Sequence, residues 1–409
     1  MIAQPLGKNY SRFVNVLIFI FPIVINSLQV AGDIVLFILA MMGLFIAISQ
    51  RLSPFIIKDI KVFSYLTFGY FIAICLSVLF SVQAAEIAHY IPRDFYFLFA
   101  PFIALALYKA EININYLIAG AKVSLLVIGG IVIYFGGFGD ARNTGVMNPG
   151  VFGNLAVLLF FIVLAFSQYE SFKRQIFTLI SLLFGFIAII GSGTRGAWIS
   201  CLILVGVYLY FIFKQKTKLV LRSKIILLFV IVITFSVASL NETLQNRVQN
   251  GYTQISNWID GDESPSSVGL RLNMYKKAID NIKDVPFFGY GLRTSNENLF
   301  RNDSSSMGVI SARFNHLHNA FLTNYYNGGI FLLGALLLIL FFPMMIFLKA
   351  NSQNRTNPVF IAGALLTVGY ASIGMINILL GDTYMNGFYT FFLAIFMLLS
   401  AQSVKKSSK

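Results

Sequence analysis

The chain has 409 residues, of which 57% are hydrophobic and only 11% charged, and its mean hydropathy is +0.78. A water-soluble domain has about 25% charged residues, so this chain has too few charges to cover a water-exposed surface. The net charge of +14 would alone suggest a nucleic-acid partner. The composition instead predicts an integral membrane protein that binds no nucleic acid.

Long apolar runs predict an all-α protein with about twelve transmembrane helices, because each run has the length of a membrane span. Since the first run lacks a cleavage site and another follows at once, it predicts a transmembrane helix rather than a signal peptide. The runs lie at roughly 13–30, 34–48, 62–82, 95–108, 116–136, 151–168, 175–191, 197–213, 225–240, 320–348, 359–380 and 387–402.

The positive charges predict the orientation of these helices. With a cytoplasmic N-terminus, the inner segments hold 18 Lys and Arg residues and the short outer loops hold 3. Cytoplasmic loops collect such residues, so we expect both termini in the cytoplasm. Three parts follow: residues 1–240 with helices 1–9, one large outer loop at 241–319, and residues 320–409 with helices 10–12 and a cytoplasmic tail.

The large outer loop contains one predicted amphipathic helix, GLRLNMYKKAIDNI at 269–282. Leu270, Met274 and either Ala278 or Ile279 recur at helical spacing. Ser266 or Ser267 supplies an N-cap, and the helix is expected to end before Pro286.

His316 and His318 lie in NHLHNAFL, where this loop enters the tenth helix. The positive end of a helix dipole disfavours an imidazolium, so a neutral ring is available there as a base. The alternative is a histidine that only caps the helix or binds lipid headgroups. The i,i+2 spacing does not favour a metal site, and we expect no metal.

Two arginines are candidate ligands for an anion. Arg195 lies in GSGTRGAW, a short connection between the seventh and eighth helices, and its planar guanidinium matches phosphate oxygens. Arg271 opens the loop helix, and helix N-termini favour anions. The alternatives are a side chain that snorkels to lipid headgroups for Arg195 and a solvated surface charge for Arg271.

Three acidic positions have both a functional and a structural interpretation. Asp382 in LLGDTYMNG could orient a histidine or an acceptor hydroxyl, or could simply form a turn. Arg93 and Asp94 could pair with each other. The stretch Asp260-Gly-Asp-Glu could hold a metal, although its polar surroundings favour a turn. The chain has no P-loop or dinucleotide fingerprint, so we expect no cofactor.

Four motifs together resemble the O-antigen ligase family and its relatives, the O-antigen polymerases. They are GTRGAW, GLRLNMYKKAI, PFFGYGL and HLHNAFLTNYYNGGI, and they cover residues from about Gly191 to Leu333. The resemblance implies a membrane-embedded, GT-C-like glycosyltransferase of the bacterial inner membrane whose large loop and active site are periplasmic. It implies inverting transfer of a glycan from undecaprenyl diphosphate to lipid A core, without metal or cofactor.

The same resemblance assigns roles by position. His318 corresponds to the family's essential histidine and is the expected catalytic base, while Arg195 and Arg271 correspond to its arginines and are expected to bind the diphosphate. Supporting candidates are Asp382, Asn319, His316 and Arg93. The implied partners are the undecaprenyl-diphosphate-linked donor, the lipid A core acceptor and membrane lipids.

Two other functions remain open. A polymerase uses the same donor but a second lipid-linked repeat unit as acceptor; one dominant outer loop favours the ligase. A lipid-linked glycan flippase or transporter would place ionisable residues near the bilayer midplane. Here they concentrate at helix ends, apart from Lys122 near the start of the fifth helix.

Overall fold

A computed structural model describes residues 5–80, 88–136, 144–145, 147–215, 242–262 and 264–407. The apolar runs in these ranges form helices, because a helix satisfies its backbone polar groups internally where no water is present. They are α1 (Lys8–Ile25), α2 (Gln29–Ser49), α3 (Lys61–Leu79), α4 (Phe95–Tyr108, after a 3-10 helix Ala88–Asp94), α5 (Ile114–Tyr134), α6 (Pro149–Ser167), α7 (Phe172–Gly191) and α8 (Arg195–Lys214).

Among the described residues, the polar segment that follows contains four α-helices and the 3-10 helix Ile282–Asp284, and three further α-helices complete the chain. The four are α9 (Glu242–Ile259), α10 (Gly269–Asp280), α11 (Ser295–Phe300) and α12 (Ser306–Ala312). The three are α13 (Ala320–Gln353), α14 (Pro358–Gly374) and α15 (Thr383–Ser407).

The prediction of an all-α integral membrane protein is confirmed for the residues described. Ten of their helices are long and apolar enough to cross a membrane, and α14 is a shorter apolar helix. The predicted ninth span, 225–240, lies outside the described residues.

Helix α6 lies at the centre of the bundle. It packs against α5, α7, α8 and α14, and nearly all of its residues are buried. A helix that is apolar on every side is expected in such a place. Around it, α15 packs against α4 and α14, and α13 packs against α3 and α14.

The helices of the polar segment have a second, smaller core of their own. Its buried side chains are Met274, Ala278, Phe300, Leu317 and Tyr326. The predicted helix at 269–282 is observed as α10; Met274 and Ala278 occupy its buried face as expected, whereas Ile279 is exposed. The N-cap residue is Val268 rather than the predicted Ser266 or Ser267, although the hydroxyl of Ser266 accepts a hydrogen bond from Gly269 N at 3.0 Å.

Helix α13 is broken at Gly328 and Gly329, where the backbone of Gly329 has φ 60° and ψ −154°. The break frees the carbonyls of Tyr326 and Asn327, which accept hydrogen bonds from Tyr290 N and Gly291 N, both at 2.8 Å. A Cβ on Gly329 would lie 1.9 Å from the Phe287 carbonyl oxygen. Only glycine fits this approach, and the PFFGYGL and NGGI motifs therefore dock on each other.

Two predicted boundaries were wrong. The first run, 13–30, contains the end of α1 at Ile25 and the start of α2 at Gln29, since the chain turns between them. The run 359–380 ends as a helix at Gly374. The residues after Gly374 are apolar enough to resemble a span, but they form a turn that lines the cavity described below.

Lys122, the one ionisable residue predicted inside a span, is buried and paired. Its ammonium donates to the carboxylate of Glu170, which also accepts from the hydroxyl of Thr178. A buried charge in a membrane needs such partners, and this cluster lies outside the cavity.

Candidate active site

The site is a cavity of about 380 Å³ at the end of the bundle where α6, α8, α13 and α15 begin. Six of the seven predicted site residues line it, although they come from segments far apart in the chain. They are Arg93, Arg195, Arg271, His316, His318 and Asp382.

His318 lies in the turn before α13 with an unusual backbone, φ 51°. A positive φ is rare outside glycine, and such strain persists where the surroundings enforce it. The Tyr275 hydroxyl of α10 donates to the His318 carbonyl at 2.7 Å, and the ring packs against Phe314. The position of the ring is thus set by contacts from both sides.

The ring of His318 is neutral and has one nitrogen available. Burial, with smaller contributions from His316 and Arg271, lowers its pKa to about 3, although a hydrogen bond with the Asn377 side chain opposes this shift. Within the described residues, Nδ1 is buried and has no hydrogen-bond partner. A neutral imidazole keeps one nitrogen lone pair that can take a proton.

His316 lies beside His318, with ring centroids 4.3 Å apart. Its Nδ1 is 2.7 Å from the Asn315 side-chain oxygen. Burial, with smaller contributions from Arg293 and Arg271, lowers the pKa of His316 to about 4. Two neutral rings therefore face the cavity near neutral pH.

Asn319 is the seventh predicted residue, and it does not line the cavity. Its side chain accepts from Phe321 N and Leu322 N, both at 3.0 Å, and so caps α13. It also donates to the Met375 carbonyl at 3.1 Å, next to the turn that carries Asn377. The alternative in which a histidine caps this helix is wrong, because Asn319 provides the cap.

Arg195 is the first residue of α8 and points into the cavity rather than towards lipid. Its Nη2 donates to the hydroxyl of Ser267, just before α10, at 2.8 Å. Arg271 is in the first turn of α10, is partly buried and lines the same side. Neither arginine has the surroundings of a snorkelling or fully solvated charge.

Asp382 both forms a turn and lines the cavity. Its Oδ1 accepts from Tyr384 N at 3.0 Å and Met385 N at 3.2 Å, at the start of α15. Burial raises the pKa of Asp382, while these hydrogen bonds and the charges of Arg93 and Arg293 lower it. The turn interpretation is confirmed, and the orienting role of Asp382 stays a prediction.

Arg93 and Asp94 do not form the expected pair. Among the described ion pairs within 4 Å, none joins them. Instead, Asp94 is buried and accepts from the Asn386 side chain at 2.9 Å, which also donates to the Arg93 carbonyl. The Arg93 guanidinium lies over the Tyr90 ring, 5.5 Å from its centroid, and borders the cavity.

Sequence reasoning missed Arg293, which lines the cavity between Arg93 and His316. Its backbone has φ 65°, and its guanidinium stacks over Tyr90, 4.3 Å from the ring centroid. It also lies within 3.4 Å of the Gly381 carbonyl. The sequence signal that could have indicated Arg293 is its position directly after the PFFGYGL motif. That motif is hydrogen-bonded to α13 at the break in the helix.

The cavity as a whole is basic. Among the described residues that line it, four arginines face one carboxylate, that of Asp382. A concave surface with an excess of one charge concentrates ligands of the opposite charge. The cavity is therefore suited to an anion, with a neutral histidine beside it.

A small cavity of about 40 Å³ adjoins this one and shares Arg293, Asn315, Ile378 and Gly381 with it. Tyr70 lines the small cavity and also an apolar groove of about 470 Å³ between α3 and α13. Polar and apolar compartments thus meet at Tyr70, whose hydroxyl donates to the Asn324 side chain at 3.2 Å.

Comparison with known proteins shows which family the chain resembles. Residues 179–337 match a family model described as O-Antigen ligase. The predicted resemblance to the O-antigen ligase family is confirmed. The matched segment carries Arg195, Arg271, Arg293, His316 and His318. Arg93 and Asp382 reach the cavity from outside it.

A relative from Haemophilus influenzae, described as an uncharacterized protein, is 29% identical over 230 residues. The alignment covers 53% of this chain and 56% of that protein. The chain thus matches little more than half the length of this curated relative.

Proposed function

We propose that this protein is a glycosyltransferase of the O-antigen ligase type. It transfers a glycan from undecaprenyl diphosphate to a hydroxyl of the lipid A core at the periplasmic face of the bacterial inner membrane. The observation that carries this proposal is the convergence of a neutral His318 with Arg195 and Arg271 in one basic cavity at one end of the bundle.

Arg195 and Arg271 bind the diphosphate of the donor. The reaction breaks the bond between the anomeric carbon and the diphosphate oxygen, and that oxygen keeps the electron pair. Guanidinium groups stabilise the departing charge by charge-assisted hydrogen bonds, which are strong in a poorly hydrated site. The Ser267 hydroxyl holds the Arg195 guanidinium towards the cavity.

His318 removes the proton from the acceptor hydroxyl. As the oxygen of that hydroxyl bonds to the anomeric carbon, its proton moves to the neutral ring of His318. The attack comes from the face opposite the leaving diphosphate and therefore inverts the anomeric centre. The Asn377 hydrogen bond stabilises the imidazolium that forms, since it favours the protonated ring.

The acceptor sugar enters on the side of Asp382 and Arg293. Both hydrogen bonds from the start of α15 go to Oδ1 of Asp382, which leaves Oδ2 to accept from a sugar hydroxyl. Arg293 supplies donors on the same side. This side orients the acceptor and borders the small cavity through which the polyprenyl chain passes, while the opposite side binds the donor diphosphate.

The polyprenyl chain of the donor lies in the groove between α3 and α13. The groove is lined by apolar side chains, including Leu66, Ala73 and Phe331, and it meets the polar compartments at Tyr70. A lipid with a charged head and an apolar tail fits two compartments that adjoin in this way.

Deletion of the gene followed by gel analysis of lipopolysaccharide tests the proposed reaction. Loss of all glycan-capped lipid A core molecules, restored by the wild-type gene, is the expected result. Capping by a single repeat unit would instead identify a polymerase, which shares the donor but not the acceptor. Unchanged capping would contradict both reactions.

A further inference from the structure

Helix α9 has three distinct faces, which follow from the 100° rotation between successive residues of a helix. One face packs on the protein through Leu244, Arg247, Gly251, Gln254 and Trp258, all of them buried or partly buried. The adjacent face is apolar and exposed. The third face is polar and exposed, with Asn246, Gln249, Asn250, Thr253 and Asn257.

The apolar exposed face is a continuous stripe. Its members are Val248, Tyr252, Ile255 and Ile259, which are 62%, 69%, 43% and 70% exposed. Their spacing of four, three and four residues places them on one line along the helix. Single exposed apolar residues are common, but an aligned set of four on a polar helix marks a contact surface.

We infer that α9 lies along the membrane surface, with this stripe in the boundary between headgroups and acyl chains of the outer leaflet. The chain is an integral membrane protein, so a bilayer surrounds it, and α9 is too polar to be among its membrane-crossing helices. Its first residue, Glu242, follows the predicted span 225–240 by two positions. The packed face then contacts the protein, the apolar face contacts lipid, and the polar face contacts water.

This position of α9 bears on the cavity because its packed face holds Arg195. A Cβ on Gly251 would lie 2.8 Å from Arg195 Nη1, so the helix backbone directly contacts the guanidinium. The Gln254 side-chain oxygen accepts from the Ser267 hydroxyl at 3.2 Å, and Ser267 accepts from Arg195. A helix seated on lipid therefore fixes the Arg195 guanidinium at the cavity wall.

Nitroxide labels on the full-length protein in phosphatidylcholine vesicles test the position of α9. In a background with Cys75→Ser and Cys201→Ser, one label is placed by Tyr252→Cys and a matched control by Thr253→Cys on the polar face. We expect the label at 252 to be accessible to oxygen but shielded from a water-soluble nickel complex. The label at 253 should show the reverse.

Two outcomes would overturn the inference. Equal access of the nickel complex to both labels would mean that the stripe faces water. Shielding of the label at 252 from both reagents, with dipolar broadening, would mean that it contacts a second copy of the chain. Addition of phosphatidylglycerol should not change the depth of the label, because apolar residues rather than positive charges form the stripe.

The link to Arg195 rests on the proposed function and is measured separately. Ile255→Asp should raise the KM for the diphosphate donor several-fold, and the control Thr253→Asp should not. If the two variants have the same KM for the donor while the label depth is as expected, the membrane contact of α9 stands. Only its link to Arg195 is then contradicted. If wild-type protein transfers no glycan, the proposed function fails while the depth measurement still stands.

Discussion

The arginines on the two sides of the cavity have different neighbours. On the side that we propose binds the donor, the Arg195 guanidinium donates to a neutral hydroxyl, that of Ser267. On the side that we propose binds the acceptor, Arg93 and Arg293 lie near the carboxylates of Asp94 and Asp382, and both contact the Tyr90 ring. Arginines among carboxylates and aromatic rings build a polar wall, whereas arginines directed at an open cavity bind an anion.

The largest effect is expected from His318→Ala, which removes the base between the two sides. Transfer of glycan to lipid A core in reconstituted membranes should fall by about 10²–10⁴-fold, the usual contribution of general-base catalysis. The KM for the donor should change little, since the arginines remain. Thermal unfolding of the variant should match that of the wild type, and full activity in such a folded variant would refute the mechanism.

The next effect distinguishes the two sides directly. Arg195→Lys should lower kcat/KM for the donor by about 10²-fold, because an ammonium cannot form the paired hydrogen bonds of a guanidinium. Arg293→Lys should instead act mainly on the KM for the acceptor. Steady-state kinetics with each substrate varied in turn measures both. An equal rise in donor KM for the two variants would mean that the two sides are not functionally distinct.

A smaller effect is expected from filling the groove behind the cavity. A Cβ on Gly69 of α3 meets no atom within 4 Å, so Gly69→Leu places a side chain in the groove without a clash. The donor KM should rise several-fold, while short-chain donors should be less affected. Gly206→Leu on α8 is the matched control, because a Cβ there also meets no atom within 4 Å. The same rise in both variants would rule out a specific lipid site.

The smallest expected effect is a shift in pH dependence. In the free protein the pKa of His318 is lowered to about 3 by burial, His316 and Arg271, so the base is lost only as pH falls towards that value. A bound diphosphate offsets the charge of Arg271 and should raise this pKa. The acid limb of kcat should therefore lie at higher pH than that of kcat/KM. If the acid limbs of kcat and kcat/KM lie at the same pH, the donor does not bind near His318.

Much of the fold could be predicted from the sequence, because spans depend on local composition. Runs of apolar residues predicted eleven of the described helices, and α10 was found from its periodicity. Helix α9 was not predicted, although its apolar stripe is visible at helical spacing. The run 359–380 was extended too far, since an apolar turn that carries Asn377 cannot be distinguished from a helix by composition.

The candidate site was only partly predictable. His318, Arg195 and Arg271 could be chosen from their motifs, and Asp382 from its place between the last two spans. Arg293 and Asn377 could not, because one depends on a turn that docks on the broken α13 and the other on the end of α14. Their contribution arises from contacts with residues distant in the chain.

The sequence by itself determined that this is a helical membrane protein with one large polar loop, because hydropathy is a property of each segment alone. It also predicted seven candidate site residues. The tertiary structure decided that six of these residues share one cavity, that Asn319 caps α13 outside it, and that Arg293 joins them. Convergence depends on how the helices pack, and packing is set by contacts between segments that no local pattern encodes.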